Sequence, residues 1–139
     1  MAVDKSIAIL MVDDSTTMIS IVKNLLRQIG FENVDEVLSG TAALEKLAQK
    51  EYQLVISDWN MEPMTGYELL KRMRSIYRYQ SLPFIMMTSA GSSENVIAAK
   101  FAGVNGYIIK PFTGDNLKQK IEYVFTEKPA VSRVDRVVA

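Results

Sequence analysis

The chain contains no cysteine and no histidine. Without cysteine there is no disulfide scaffold and no thiolate metal site, which fits a cytoplasmic protein. Without histidine there is no histidine-based triad, no imidazole metal site and no phosphohistidine on this chain. Acid–base or metal chemistry therefore falls to carboxylates, lysine, tyrosine or hydroxyls. Charge of one sign is missing too: 16 basic residues balance 16 acidic ones, which argues against a general nucleic-acid binder. No apolar run approaches the roughly 20 residues of a membrane span. The opening residues mix charges, and Ile7 to Val12 is too short for the apolar part of a signal peptide. Internal repeats and low-complexity segments are absent.

What remains is a chain of 139 residues, 48% hydrophobic, the size of one domain with a substantial core. Ile7 to Val12 reads as a buried strand ended by Asp13-Asp14. After Ser15-Thr16-Thr17, the apolar residues Met18, Ile21, Val22, Leu25, Leu26 and Ile29 recur at helical spacing until Gly30. Val34 to Leu38 is a second strand. Ser39-Gly40 opens a second helix with Ala43, Leu44, Leu47 and Ala48 inward. Leu54-Val55-Ile56 is a third strand, apolar on both faces, and it runs into Asp58 and the turn signals Asn60, Pro63 and Gly66. Thr65-x-x-Glu68 is a capping box for a third helix with Leu69, Leu70, Met73 and Ile76 on its apolar face. Phe84 to Thr88 is a fourth strand. Ser89 to Ser93 leads to a fourth helix with Val96, Ile97 and Phe101. Tyr107 to Ile109 is a fifth strand, ended by Lys110-Pro111. Thr113 caps a fifth helix through Leu117, Ile121, Val124 and Phe125, and Pro129 ends it. Strands alternating with helices predict an α/β fold: a flavodoxin-like, doubly wound, five-stranded parallel sheet in order 2-1-3-4-5 with five helices.

In such a sheet, ligands bind outside the carboxyl ends of the strands, near the point where the strand order reverses. The predicted strand ends there carry Asp13 and Asp14, Asp58, Thr88 and Lys110. Singly, each has an ordinary reading: Asp14 or Ser15 as a helix cap, Asp58 as a turn former, Thr88 as a strand end, Lys110 as a solvated tip. Together they form a chemical set. Two carboxylates near 4 Å repel by about 4 kcal/mol at an effective dielectric of 20. A divalent cation relieves that repulsion, and an all-oxygen donor set suits Mg²⁺. Beside it Lys110 and the Thr88 hydroxyl can hold an anion, and Asp58 can act as a nucleophile toward phosphorus.

This constellation resembles the receiver domain of two-component response regulators over roughly residues 5 to 127. Three stretches look like the single-domain chemotaxis regulators of the CheY type. They are Asp58-Trp59-Asn60-Met61 with Gly66-Tyr67-Glu68-Leu69-Leu70-Lys71, then Glu94-Asn95-Val96-Ile97-Ala98-Ala99, and Gly106-Tyr107-Ile108-Ile109-Lys110-Pro111-Phe112-Thr113. The resemblance implies a signalling switch, with no turnover beyond its own phosphorylation and dephosphorylation. Asp58 would accept a phosphoryl group from a sensor histidine kinase of the CheA type. Mg²⁺ would be held by Asp14, by Asp13 through water, by Asp58 and by the backbone carbonyl of Asn60. Lys110 and Thr88 would contact the phosphoryl group, Tyr107 would be the switch aromatic, and a cis peptide would precede Pro111. The face of the fourth helix, fifth strand and fifth helix would bind an output partner such as the flagellar motor switch. DNA binding and membrane insertion are not expected.

The chain departs from the family at four places. Glu62 separates Met61 from Pro63, Ala90 offers no side chain to orient a water, and Ser92 and Ser93 replace frequent lysines. The fourth is the tail. Residues 1–128 read as the receiver domain and 129–139 as a flexible tail; from Lys128 on, Lys128, Arg133 and Arg136 outnumber Asp135 and suggest an anionic ligand or nucleotide. Rival readings fare worse. A haloacid-dehalogenase-like phosphatase wants Asp-x-Asp, whereas Asp58 is followed by Trp59 and Asn60. A flavodoxin wants a hydroxyl- and glycine-rich loop where Asp13-Asp14 would repel its phosphate. A binding module that no longer signals by phosphate would not need the complete constellation.

Overall fold

A computed structural model describes residues 3–89 and 93–126. The described residues form five parallel strands, β1 (Ile9–Val12), β2 (Val34–Val37), β3 (Leu54–Asp58), β4 (Phe84–Thr88) and β5 (Gly106–Ile109), in the order β2-β1-β3-β4-β5. Between and after them run α1 (Thr16–Gln28), α2 (Gly40–Gln49), α3 (Gly66–Arg74), α4 (Ser93–Ala102) and α5 (Gly114–Thr126). The order and the alternation are as the sequence implies. A short 3₁₀ turn at Tyr77–Tyr79, which the sequence reading did not contain, links α3 to β4.

The sheet is apolar on both faces because helices cover both. Side chains alternate along each strand, so β1 sends Ile9 and Met11 into one core and Leu10 and Val12 into the other. The first core holds Ile19, Val22 and Leu26 of α1 with Leu117, Ile121 and Val124 of α5. The second holds Ala43 and Leu47 of α2 with Leu69, Leu70 and Met73 of α3.

Local signals set the helix starts. Ser15 and Ser39 cap α1 and α2 through their hydroxyls, so the α1 cap is Ser15 and not Asp14. Thr65 and Glu68 form the expected capping box on α3. Thr113 accepts from the Asn116 amide at the head of α5.

Periodicity finds an apolar stripe, but packing selects its centre. On α1 the inward residues are Ile19, Val22 and Leu26; Ile19 was missed and Ile21 lies exposed. Ala48 on α2, Ile76 beyond the end of α3, and Ile97 and Phe101 on α4 are likewise exposed rather than packed, Phe101 at 82%. Ala99 is the fully buried residue of α4, which packs mainly on α3. Two strands are shorter than expected: Ile7 precedes β1, and Leu38 follows β2 and is exposed. Ala90, Ser92 and the tail at 129–139 lie outside the described residues.

Candidate functional site

The parallel register brings four strand ends to one edge. Met11 pairs with Ile56 and Val12 with Ser57, so Asp13, the next residue of the first segment, comes beside Asp58 at the end of β3. Asp58 pairs with Met87, one residue short of Thr88, and Thr88 pairs with Ile109, one short of Lys110. The backbone locks these ends: Trp59 N–H donates to Met87 O at 2.8 Å and Lys110 N–H to Thr88 O at 2.8 Å.

Asp13, Ser57, Asp58 and Thr88 are buried polar residues among otherwise apolar ones, while Asp14 is exposed. Carboxylate oxygens of Asp13, Asp14 and Asp58 all lie within 4.8 Å of one another. The Lys110 ammonium donates to Asp58 Oδ1 at 2.8 Å, and this pair is largely shielded from solvent. It neutralises one carboxylate of three. Asp13 Oδ1 accepts from the Ser15 amide at 3.0 Å. Asp13 Oδ2 is buried and has no hydrogen-bond partner among the described residues. Burial pushes the Asp13 carboxyl above the usual range, and the charges of Asp58 and Asp14 push the same way, against the Ser15 amide and Lys110.

A buried carboxylate oxygen with no donor is costly unless something fills the gap. Three clustered carboxylates and an orphaned oxygen facing no protein donor form an all-oxygen set that fits a hard divalent cation. Asn60, expected to add its backbone carbonyl, sits exposed in the loop two residues past Asp58.

Thr88 and Tyr107, which the resemblance casts as a switch pair, are joined directly. The Tyr107 hydroxyl shares a hydrogen bond with the Thr88 side chain, and burial raises its pKa while that bond lowers it. The Tyr107 ring meets Trp59 edge-on, with centroids 6.3 Å apart. Trp59 in turn stacks on Tyr67 of α3 at 5.3 Å and 7°. Both Lys110–Pro111 and Glu62–Pro63 are cis; the first was expected, the second was not.

Two contributors escaped the sequence reading. Gly66 begins α3 so close to β3 that a Cβ there would fall 2.1 Å from the Asp58 carbonyl oxygen. Its amide donates to Trp59 O at 2.9 Å, folding the loop back on itself. The glycine was read only as a turn signal. Ser57, fully buried, donates its hydroxyl to the Asp58 carbonyl at 2.9 Å. No sequence pattern marks it.

Comparison with known proteins places the chain in a family. The family model for the response regulator receiver domain matches residues 9–122. The chain belongs to that family, whose members are phosphorylation-dependent signalling domains. Among characterised proteins, it is 46% identical over 122 residues to chemotaxis protein CheY-3 of Vibrio cholerae, covering 88% of this chain and 94% of that one. It is 47% identical over 117 residues to chemotaxis protein CheY of Pseudomonas aeruginosa, covering 84% and 94%. Among solved structures, chemotaxis response regulator CheY4 of Vibrio cholerae superposes with a TM-score of 0.78 at 33% identity, over 86% of this chain and 98% of that one.

Proposed function

We propose that this chain is a phosphorylation-dependent switch in chemotaxis, and that Asp58 is its phosphoacceptor. The observation that carries the proposal is the Asp58–Lys110 ion pair set beside the orphaned oxygen of Asp13. Lys110 holds the Asp58 carboxylate in place through Oδ1, which leaves Oδ2 as the attacking atom. That oxygen forms the new O–P bond as the P–N bond of a donor phosphohistidine breaks and the imidazole leaves. The donor is a kinase of the CheA type.

Asp13, Asp14 and Asp58, with the Asn60 carbonyl, would hold Mg²⁺. When bound, Mg²⁺ supplies positive charge that offsets the carboxylates and the phosphoryl oxygens. Lys110 then contacts the phosphoryl group. Thr88 exchanges its hydrogen bond to Tyr107 for one to a phosphoryl oxygen, and Tyr107 is released to repack. The output face is that of α4, β5 and α5, where Ile97, Phe101, Ile109 and Tyr123 are exposed. Its partner is an output protein such as the flagellar motor switch. The chain catalyses only its own phosphorylation and dephosphorylation, and acts in the cytoplasm. No helix among the described residues is long and apolar enough to cross a membrane. The tail at 129–139 is assigned an anionic ligand, a nucleotide phosphate among the candidates, on its sequence alone.

Incubation with Mg²⁺ and acetyl phosphate, read by intact mass, tests the acceptor. One phosphate is expected on the wild type and none on Asp58→Asn. Equal labelling of the two would remove Asp58 from the role.

A further inference from the structure

The loop that leaves Asp58 also builds one wall of a groove between α2 and α3. Pro63 and Met64 of that loop, Thr41 of α2, Lys71 and Arg72 of α3 and Ser75 just past its end line a cavity of about 580 Å³. That size accommodates a small ligand or a few residues of a peptide. Its lining is net basic, with Lys71 and Arg72 against Glu68. From Leu69 to Ser93 the chain has no acid but contains Lys71, Arg72, Arg74 and Arg78. The cavity's one acidic side chain, Glu68, is turned to the helix start, where its carboxylate accepts from the Thr65 amide at 2.9 Å. Basic residues in the last turn of α3 match the helix dipole. Arg74 is also spent on backbone carbonyls. Lys71 and Arg72 are different: they are exposed, and among the described residues neither forms an ion pair.

Lys71 is also the end of a column. Its ammonium lies over the Tyr67 ring, 5.2 Å from the centroid. Tyr67 stacks on Trp59, and Trp59 meets Tyr107, which is bonded to Thr88. Aromatic packing therefore runs without a break from the phosphoryl-sensing hydroxyl to the groove.

We infer that the α2–α3 groove is a docking surface for an acidic peptide segment of a partner protein, coupled to Asp58 through the Trp59–Tyr67 stack. Carboxylates meet Lys71 and Arg72, and an apolar side chain covers Pro63 and Met64. The tail of this chain is a poor occupant, since from Lys128 onward it is itself net basic. An acid that draws Lys71 off the Tyr67 face shifts the stack and the loop holding Asn60. By linkage, groove occupancy and metal or phosphoryl binding at Asp58 then alter each other. Docking stands without the function proposed above; the coupling rests on it.

The probe is an eight-residue peptide of alternating glutamate and leucine, with a lysine–leucine peptide as control, added to the full chain. Amide NMR shifts at Thr41, Met64 and Ser75, and a saturable change in Trp59 fluorescence, are expected with the acidic peptide only. Lys71→Glu with Arg72→Glu should weaken it about tenfold. Tyr67→Leu should keep the shifts and lose the Trp59 response. Saturating peptide should move the Mg²⁺ midpoint about fivefold. Docking is overturned by equal binding of both peptides, by shifts confined to other surfaces, or by none up to millimolar peptide. Coupling is overturned if the peptide saturates with the Mg²⁺ midpoint unchanged. Peptide binding to a chain whose Asp58 takes no phosphate would refute the acceptor and leave the groove standing.

Discussion

Two polar clusters sit at opposite ends of the same sheet. At the amino-terminal edge, the Arg74 guanidinium donates to Gly103 O at 3.1 and 2.9 Å, to Tyr79 O at 2.6 Å and to Asn105 Oδ1 at 2.9 Å. Asn105 Oδ1 also accepts from the Phe84 amide at 2.9 Å. At the carboxyl-terminal edge, three carboxylates crowd together with one lysine, and a buried oxygen of Asp13 has no donor. The first cluster ties α3, the 3₁₀ turn and the start of β4 and β5 into one piece. The second is incomplete in the protein alone. Both are polar and both are partly buried; the difference is satisfaction. A cluster whose donors and acceptors match serves stability, and one whose charges do not match serves a ligand.

Gly66→Ala should break the second cluster hardest, without touching a charge. The new Cβ would have to displace the Asp58 carbonyl or the head of α3. A shift near 1 Å is expected to slow acetyl phosphate labelling about a hundredfold, with a stability loss of about 3 kcal/mol in urea unfolding. Unchanged labelling would show that the loop has slack the close contact denies.

Arg74→Ala should cost about 2–3 kcal/mol, because it strips the guanidinium bonds from the Gly103 carbonyl and leaves Tyr79 O and Asn105 Oδ1 with one donor each, the Leu82 and Phe84 amides. The Mg²⁺ response of Trp59 should stay as in the wild type. Lys at this position should recover only part of the loss, since an ammonium lacks the planar fork. A changed metal response would join the two clusters that the comparison separates.

Asp13→Asn should act in the opposite direction. In EDTA it is expected to raise the urea midpoint at neutral pH, as it removes a buried charge repelled by its neighbours. The sign follows from the raised folded-state pKa: this carboxyl weakens the fold as pH rises through that value. With saturating Mg²⁺ the wild type should become the more stable of the two. A variant less stable in both conditions would make Asp13 a structural acid.

The smallest effect belongs to Asp35, a satisfied acid on the β2 edge. The Lys50 ammonium, and then the Tyr52 hydroxyl, hold its carboxyl below the usual range. A lowered folded value gives stability that is present above the unfolded value of about 3.9 and is lost as pH falls through the folded one. Tyr52→Phe should reduce that acid-range loss and lower neutral stability by about 1 kcal/mol or less. Equal acid unfolding of variant and wild type would remove Asp35 from the comparison.

The five apolar runs, their alternation with helices and the caps Thr65 and Thr113 are legible in the chain, because strands and helix starts are local events; the choice of Ser15 over Asp14 at α1 is not. So was the set Asp13, Asp14, Asp58, Thr88 and Lys110, since each ends an apolar run and parallel strands of one sheet must end at one edge. Only packing decided the rest. It chose Ile19 over Ile21 and left Phe101 in solvent, because a helix with more apolar residues than its contact stripe can hold must expose some. It decided that Lys110 pairs with Asp58 while Asp13 goes without, that Gly66 needs to be glycine, and that Tyr67 stacks on Trp59. Each of these depends on distances between segments far apart in sequence, which no local pattern encodes.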